Sequence, residues 1–348
     1  MSKWKDYILI AIMTAVSWGL SQFVIFDISS LPLFSGGSVP DIEISDLYSA
    51  VGSRKLVSQK AQNVSIVSID GCTRQQIADA IELISFMNPS SLGVDVFFRI
   101  EDKEGAAIKD ALLGIHNLVL PIDIHHPEAV SFFHDSIPGA VSAYVNIISS
   151  NPTGFVREFS ILKEDMPSFS YALAQCTPPI PPYRIRFDGI DVPVIRANEL
   201  SLADESDIQG KIVLLGAVND ASDQYRTSLG FRTPGVLIHA IVAEMLSRGI
   251  YIHVCPSWIE KVLAIIICFL FLGLLLFAKR AYDDAGTLFM RLLQVLLILF
   301  FFLLGVKLYL EMNIYVDLAL MISMLAMGSL VFDIVVGMYC LFRRNQKI

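Results

Sequence analysis

Charge is scarce in this chain. Of its 348 residues only 17% are Asp, Glu, Lys or Arg, while 54% are hydrophobic and the mean hydropathy is +0.59. Soluble domains carry charge on about a quarter of their residues, so an ordinary soluble globule is excluded. Basic residues are in deficit as well: 26 Lys and Arg stand against 34 Asp and Glu, for a net charge of −8. Phosphate binding needs a basic face, and this balance argues against nucleic acid as a partner. Cysteine is sparse, at five. Cys72, Cys176 and Cys255 fall in the polar part of the chain, where a pair could join, and Cys268 and Cys340 fall in apolar runs. That spacing is no disulfide framework, and a domain of this size needs none. Catalytic signatures are missing too: no Rossmann glycines, kinase set, G-x-S-x-G elbow or H-E-x-x-H. Gly210-Lys211 precedes its strand, whereas a phosphate loop follows one. No enzyme is expected, and with it no catalytic residue, cofactor or metal.

What the chain does have is long apolar runs. Four of them, at residues 7–27, 258–278, 291–311 and 315–342, each supply the ~20 residues needed to cross a hydrocarbon core. Lys3 and Lys5 precede the first, Lys279, Arg280 and Arg291 lie between the second and third, and Arg343, Arg344 and Lys347 follow the fourth. Four crossings put all of these on one side, which the positive-inside rule makes cytoplasmic. Lys261 and Lys307 are among the few basic residues on the other side. The expectation is therefore a multi-pass protein of the cytoplasmic membrane. A short N-terminus (1–6) and tail (343–348) lie inside, and residues 28–255 form an extracytoplasmic, periplasmic domain. A cleaved signal peptide also begins with basic residues, but its apolar core is shorter, so the first run reads as an uncleaved anchor.

The outer segment opens with a Ser/Gly/Pro-rich lead-in, then DIEISDLYSAV (41–51), whose alternation predicts an edge strand. VSIVSID (64–70), LGVDVFF (92–98), LVLPI (118–122) and KIVLLG (211–216) read as buried strands. Helical spacing appears over 74–87, with Thr73 as cap and Asn88-Pro89 as stop, and again over 104–115 and 238–247. Short links between alternating strands and helices predict an α/β domain with a mostly parallel sheet flanked by helices, carried on four transmembrane α-helices. Residues 127–188 are less regular, and the prolines at 178, 179, 181 and 182 mark a loop.

These blocks, with GFVREFSIL (154–162), SFSYALA (168–174), GKIVLLGAVNDASDQYRTSLG (210–230) and PGVLIHA (234–240), resemble the CHASE2 family in order and spacing. The resemblance covers about residues 41–249 plus the helices. It implies an extracytoplasmic sensory domain followed by three membrane helices, as in bacterial signalling proteins. Leu237 stands where the family commonly has Glu beside the histidine. Larger members carry a cytoplasmic output domain, so the resemblance implies a stand-alone member here.

Open parallel sheets bind ligands outside the carboxyl ends of their strands. Asp70, Asp95, Asp123, Asp220 and His239 fall at or near such ends and are the candidate ligand-binding residues. Acids there could hold a cation or amine, or else serve as turn and cap acceptors. His239 reads either as a ligand or pH-sensing group or as a packed ring pinning its helix to the sheet. In the fourth apolar run Asp333, with Ser329 and Gly337 on the same face, forms a small, polar stripe. An acid in hydrocarbon costs roughly 2.5–3.5 kcal/mol on insertion scales, so the stripe should meet a neighbouring helix or a partner. Lys307 lies too far along the membrane normal to pair with it.

Two functions fit. One is a sensor or input subunit that binds a ligand or protein outside and relays it to a separate partner. The other is a structural or assembly subunit of a membrane complex. Expected partners are the membrane, a separate output or complex protein reached through the helices or the cytoplasmic tail, and a second copy of the chain (a homo-oligomer).

Overall fold

The computed structural model describes residues 3–25, 43–55, 59–147, 154–163, 165–176, 183–187 and 189–345. The Ser/Gly/Pro lead-in up to Pro40, the proline cluster 178–182 and the last three residues lie outside the described residues. The chain opens with helices α1 (Lys3–Ile25) and α2 (Ile44–Lys55). A six-stranded sheet follows, of β1 (Val64–Ser68), β2 (Ser91–Asp95), β3 (Leu118–Ile122), β4 (Val141–Tyr144), β5 (Val194–Arg196) and β6 (Ile212–Gly216). Its helices are α3 (Arg74–Phe86), α4 (Lys103–Leu112), α5 (Phe169–Ala174) and α6 (Gly235–Ser247), and a hairpin β7 (Gln224–Thr227) and β8 (Gly230–Pro234) precedes α6. Helices α7 (Ser257–Met312) and α8 (Ala319–Asn345) complete the described chain. Two compact units result: Ser49–Ile252, and Met1–Tyr48 together with His253–Ile348.

In the first unit the strand order is β5-β1-β6-β2-β3-β4, and every pairing is parallel. Side chains alternate between two cores. Val67, Leu92, Val94, Leu118, Leu120, Val213 and Leu215 pack with α3 and α4, while Val64, Ile66, Val119, Ala143, Ile212 and Leu214 pack with α5 and α6. A sheet covered on both faces needs apolar residues at every position, which is why these strands read as continuous runs. The exceptions have reasons: buried Ser65 and Ser91 donate to the Asp207 and Leu173 carbonyls, and a Cβ on Gly93 would lie 2.7 Å from both Leu173 Cδ1 and Phe169 Cζ of α5. Thr73 and Gln76 form a reciprocal capping box at the start of α3.

The segment expected as an edge strand over 41–51 is instead helical, as α2. Ile44, Ser45, Tyr48 and Ser49 are buried, a spacing of 3.6 rather than 2. Asp46 also reaches back to accept from the Glu43 N–H at 2.9 Å, which caps a helix start. Local alternation lost to a buried helical face.

In the second unit, Ser257–Met312 and Ala319–Met338 are the stretches long and apolar enough to cross a membrane, by length and composition, among the described residues. The second and third apolar runs form one 56-residue helix broken at Asp283, whose φ of 53° and ψ of −129° are not helical. Beyond the break, a Cβ on Gly286 would lie 2.3 Å from the Ala278 carbonyl oxygen, so the two segments come together too closely for a side chain. Arg280 holds Asp6 through two bonds of 2.6 and 2.7 Å, tying α1 to α7. Gly328 brings three helices together: a Cβ there would meet Cys268 Sγ at 3.3 Å and Ser17 Oγ at 3.6 Å.

Candidate functional site

Each central strand ends by delivering a polar group to one edge of the sheet. Strand β2 ends on Asp95, Asp123 follows β3, Asn146 follows β4, and the loop after β6 carries Asp220 and Asp223 into the β7–β8 hairpin. Together with Phe97, Arg99, Tyr225 and His239 they line an open cleft of about 580 Å³. Small-molecule sites fall in the range of roughly 300–1,000 Å³ and favour this edge of an open parallel sheet.

Of the five residues singled out from the sequence, four line the cleft: Asp95, Asp123, Asp220 and His239. Asp70 does not. Its carboxylate turns to the loop after β6 and accepts from the Val218 N–H at 3.1 Å and the Asn219 N–H at 3.2 Å. Asn219 Nδ2 adds a third bond at 3.0 Å and Ser68 Oγ a fourth at 2.7 Å. Asp70 is therefore a loop anchor: one carboxylate gathers two adjacent backbone donors and two side chains of this turn.

The cleft acids differ in state. Asp123 accepts from Asn146 Nδ2 at 2.7 Å and from the His125 N–H at 2.9 Å. The Asn146 bond above all holds its carboxyl below the usual range. Asp220 accepts from the Ser222 hydroxyl at 2.7 Å and its N–H at 2.8 Å, with the same effect. Asp95 has no hydrogen bond or ion pair among the described residues, and burial pushes its carboxyl up to about 7. Asp223 is raised to about 6, by burial first and then by the charge of Asp95, against a stabilising bond from Tyr225. Two carboxyls thus stand near neutrality where the other two are firmly ionised.

Asp223 escapes a reading of strand ends, although a signal is available. Pro234-Gly235 opens α6, and a Cβ on Gly235 would sit 2.4 Å from an Asp223 oxygen. That glycine is bare because a carboxylate rests on it.

His239 is buried, with Nε2 donating to the Val145 carbonyl at 3.0 Å and Nδ1 3.2 Å from Ser170 Oγ. A carbonyl only accepts, so the proton sits on Nε2. The ring meets Phe169 edge-on at 5.3 Å, and burial lowers its pKa, keeping it neutral. It ties α6 to α5 and to the end of β4 while presenting one side to the cleft. No group of three or more His, Cys, Asp or Glu side chains among the described residues is placed to hold a metal ion. The four cysteines Cys72, Cys176, Cys255 and Cys268 are free thiols.

On α8, Asp333 forms an ion pair with Arg291 of α7. Among the described residues, buried Ser329 has no hydrogen-bond partner for its hydroxyl, and Gly337 has nothing within 4 Å of where a Cβ would stand. Gly337, expected to meet a neighbouring helix or a partner, faces open space among the described residues, and Gly328 is the glycine at which helices of this chain meet.

The model of a family described as the CHASE2 domain matches residues 55–275. No curated protein and no solved structure matches the chain.

Proposed function

The chain belongs to the CHASE2 domain family, a family of extracytoplasmic sensory domains, and from that premise we propose that it is a membrane-anchored input subunit. Its domain binds a ligand in the cleft at the carboxyl edge of the sheet, and its helices pass the bound state to a partner protein. One observation carries this reading: four strand ends and one helix converge acidic and polar side chains on a single open cleft. Two of its carboxyls are raised toward neutrality, as happens where groups are held ready for an incoming charge. The proposed role is binding rather than catalysis.

The same proposal takes the chain across the membrane four times, through α1, the two segments of α7 on either side of Asp283, and α8. Both termini are cytoplasmic, and the sensory domain lies outside the inner membrane. Basic residues Lys279, Arg280 and Arg291 flanking the break support this orientation. The Asp333–Arg291 pair supports an internal use for that acid over a partner-binding one.

Thermal melting of the full chain in mild detergent tests the binding claim, with calcium, magnesium, spermidine and single amino acids as probes. A probe that binds only the folded form raises the melting point by mass action, about 2.7 kcal/mol at 100 times its Kd. At least one probe should stabilise the wild type, and Asp95→Asn with Asp223→Asn should remove that gain. If no probe shifts the wild type, or the shift survives both substitutions, the reading of the cleft fails. An assembly subunit then becomes the better account.

A further inference from the structure

Tyr48 is fully buried in the unit formed by Met1–Tyr48 and His253–Ile348. Its ring lies 5.8 Å from Phe302 and 5.9 Å from Tyr309, centroid to centroid. Gly305 makes the seat, since a Cβ there would stand 2.2 Å from the Tyr48 hydroxyl oxygen and 2.5 Å from Cζ. The α7 residue facing the phenol must therefore be glycine, and Leu318 closes the other side of that position at 3.0 Å.

This fit leaves one fault. The Tyr48 hydroxyl is shut away from water and has no hydrogen-bond partner among the described residues. Phenylalanine would fill the same seat without that fault, so packing alone does not account for tyrosine. Two carboxylates act on the hydroxyl electrostatically, Asp317 and Glu260, and Glu260 is itself fixed by accepting from the Asp317 N–H at 2.8 Å. Tyr48 is also the last residue of its unit on α2: from Ser49 onward the same helix belongs to the Ser49–Ile252 unit. Whatever holds Tyr48 thus holds the start of the sensory domain's chain.

We propose that Tyr48 in its Gly305 seat is a release latch, docking α2 on the membrane helices at less than full strength because its hydroxyl goes unsatisfied. Undocking returns the hydroxyl to water or to a carboxylate and frees the helix that leads into the domain. A two-state element of this kind responds to any event that favours one state. The latch does not depend on the cleft or on what binds there.

Hydrogen exchange of the full chain in lipid nanodiscs, read on peptides within Ile44–Lys55, separates a latch from a simple plug. Tyr48→Phe removes the unsatisfied group and should slow exchange of α2 about tenfold. Gly305→Ala overfills the seat and should speed it by about tenfold or more. A simple plug predicts no gain from Tyr48→Phe, so unchanged or faster exchange in that variant overturns the proposal. Unchanged exchange in Gly305→Ala overturns it as well. Should Gly305→Ala fail to insert, Phe302→Ala removes a ring contact without adding bulk and should speed exchange likewise; unchanged exchange there is equally fatal.

Discussion

Asp95→Asn should stabilise the protein, and the gain should grow with pH. The Asp95 carboxyl is raised from 3.8 to about 7 in the fold, with burial as its cause. A raised carboxyl means that the folded state holds its proton more tightly than the unfolded chain does. Its contribution is fully present below the unfolded value of 3.8 and is lost as the pH rises through about 7. Asparagine cannot ionise and escapes that loss. Each tenfold change in proton affinity between the two states is worth about 1.4 kcal/mol. The difference therefore reaches roughly 2–4 kcal/mol by pH 8 and falls toward zero near pH 4. For a domain of this size that is a melting gain of roughly 5–15 °C.

Other groups titrate in the same range. Asp223, raised to about 6, adds to the loss with rising pH, and removing the Asp95 charge relieves it further. The lowered pKa of His239 works the other way, because the unfolded chain takes up that proton first. His239 is common to wild type and variant, so it largely cancels in their difference. Denaturant unfolding of both proteins in detergent from pH 4 to pH 8 reads the result. A gain independent of pH would mean that the Asp95 carboxyl does not ionise against burial. The stability forgone by keeping Asp95 is the kind of cost that binding sites carry, because an incoming positive charge would let the buried carboxylate form.

Glu244→Ala should have the largest effect in the opposite direction. Glu244 is 0% exposed, in the last turn of α6, and its two oxygens accept from the Gln62 and Asn63 N–H groups at 3.0 Å each. Arg248 lies 3.6 Å from one of them. Alanine would leave two partly buried backbone donors and a partly exposed cation without their acceptor, at a cost of about 2–3 kcal/mol. Glu244→Gln keeps the shape but replaces one acceptor with an amide nitrogen facing an N–H, and should lose about half as much. Both are read by the same denaturant titration, as a fall in midpoint at unchanged slope. A loss under about 1 kcal/mol in Glu244→Ala would show that the lead into β1 is held by something else.

Much of the fold is legible in the sequence because its sheet is buried on both faces. Such strands need no alternation, and VSIVS, LVLPI and IVLLG are apolar or small throughout. The sheet's carboxyl edge is legible in part, since Asp95 and Asp123 fall at or just past strand ends, and with Asp220 and His239 they meet there. Position along a strand does not reveal direction, however. Asp70 ends its strand like the others, yet it turns to the amides of Val218 and Asn219, about 150 residues away in sequence. Asp223 sits in a loop with no strand end to mark it, and only the closeness of Gly235 betrays it. Glu244 has no local signal in the sequence, because the amides it meets lie about 180 residues earlier in the chain.

The unit of long apolar helices shows the same limit. Depth along the membrane normal rules out Lys307 as a partner for Asp333, but it leaves Arg291 in a loop between two runs. The helix break at Asp283 instead puts Arg291 two turns into the second segment of α7, within reach of Asp333. Segment 41–51 misleads for another reason: its alternation is real, but Ile44, Ser45, Tyr48 and Ser49 are buried on one helical face.

The central claim is that the carboxyl edge of the sheet is where the domain meets its ligand. Hydrogen exchange of the full chain in lipid nanodiscs, with and without each of calcium, magnesium, spermidine and the amino acids, tests it most directly. A probe that binds should slow exchange in the segments after β2, β3 and β6, around Asp95, Asp123 and Asp220, and Asp95→Asn should abolish that protection. Protection confined to other segments, or none with any probe, would contradict the account.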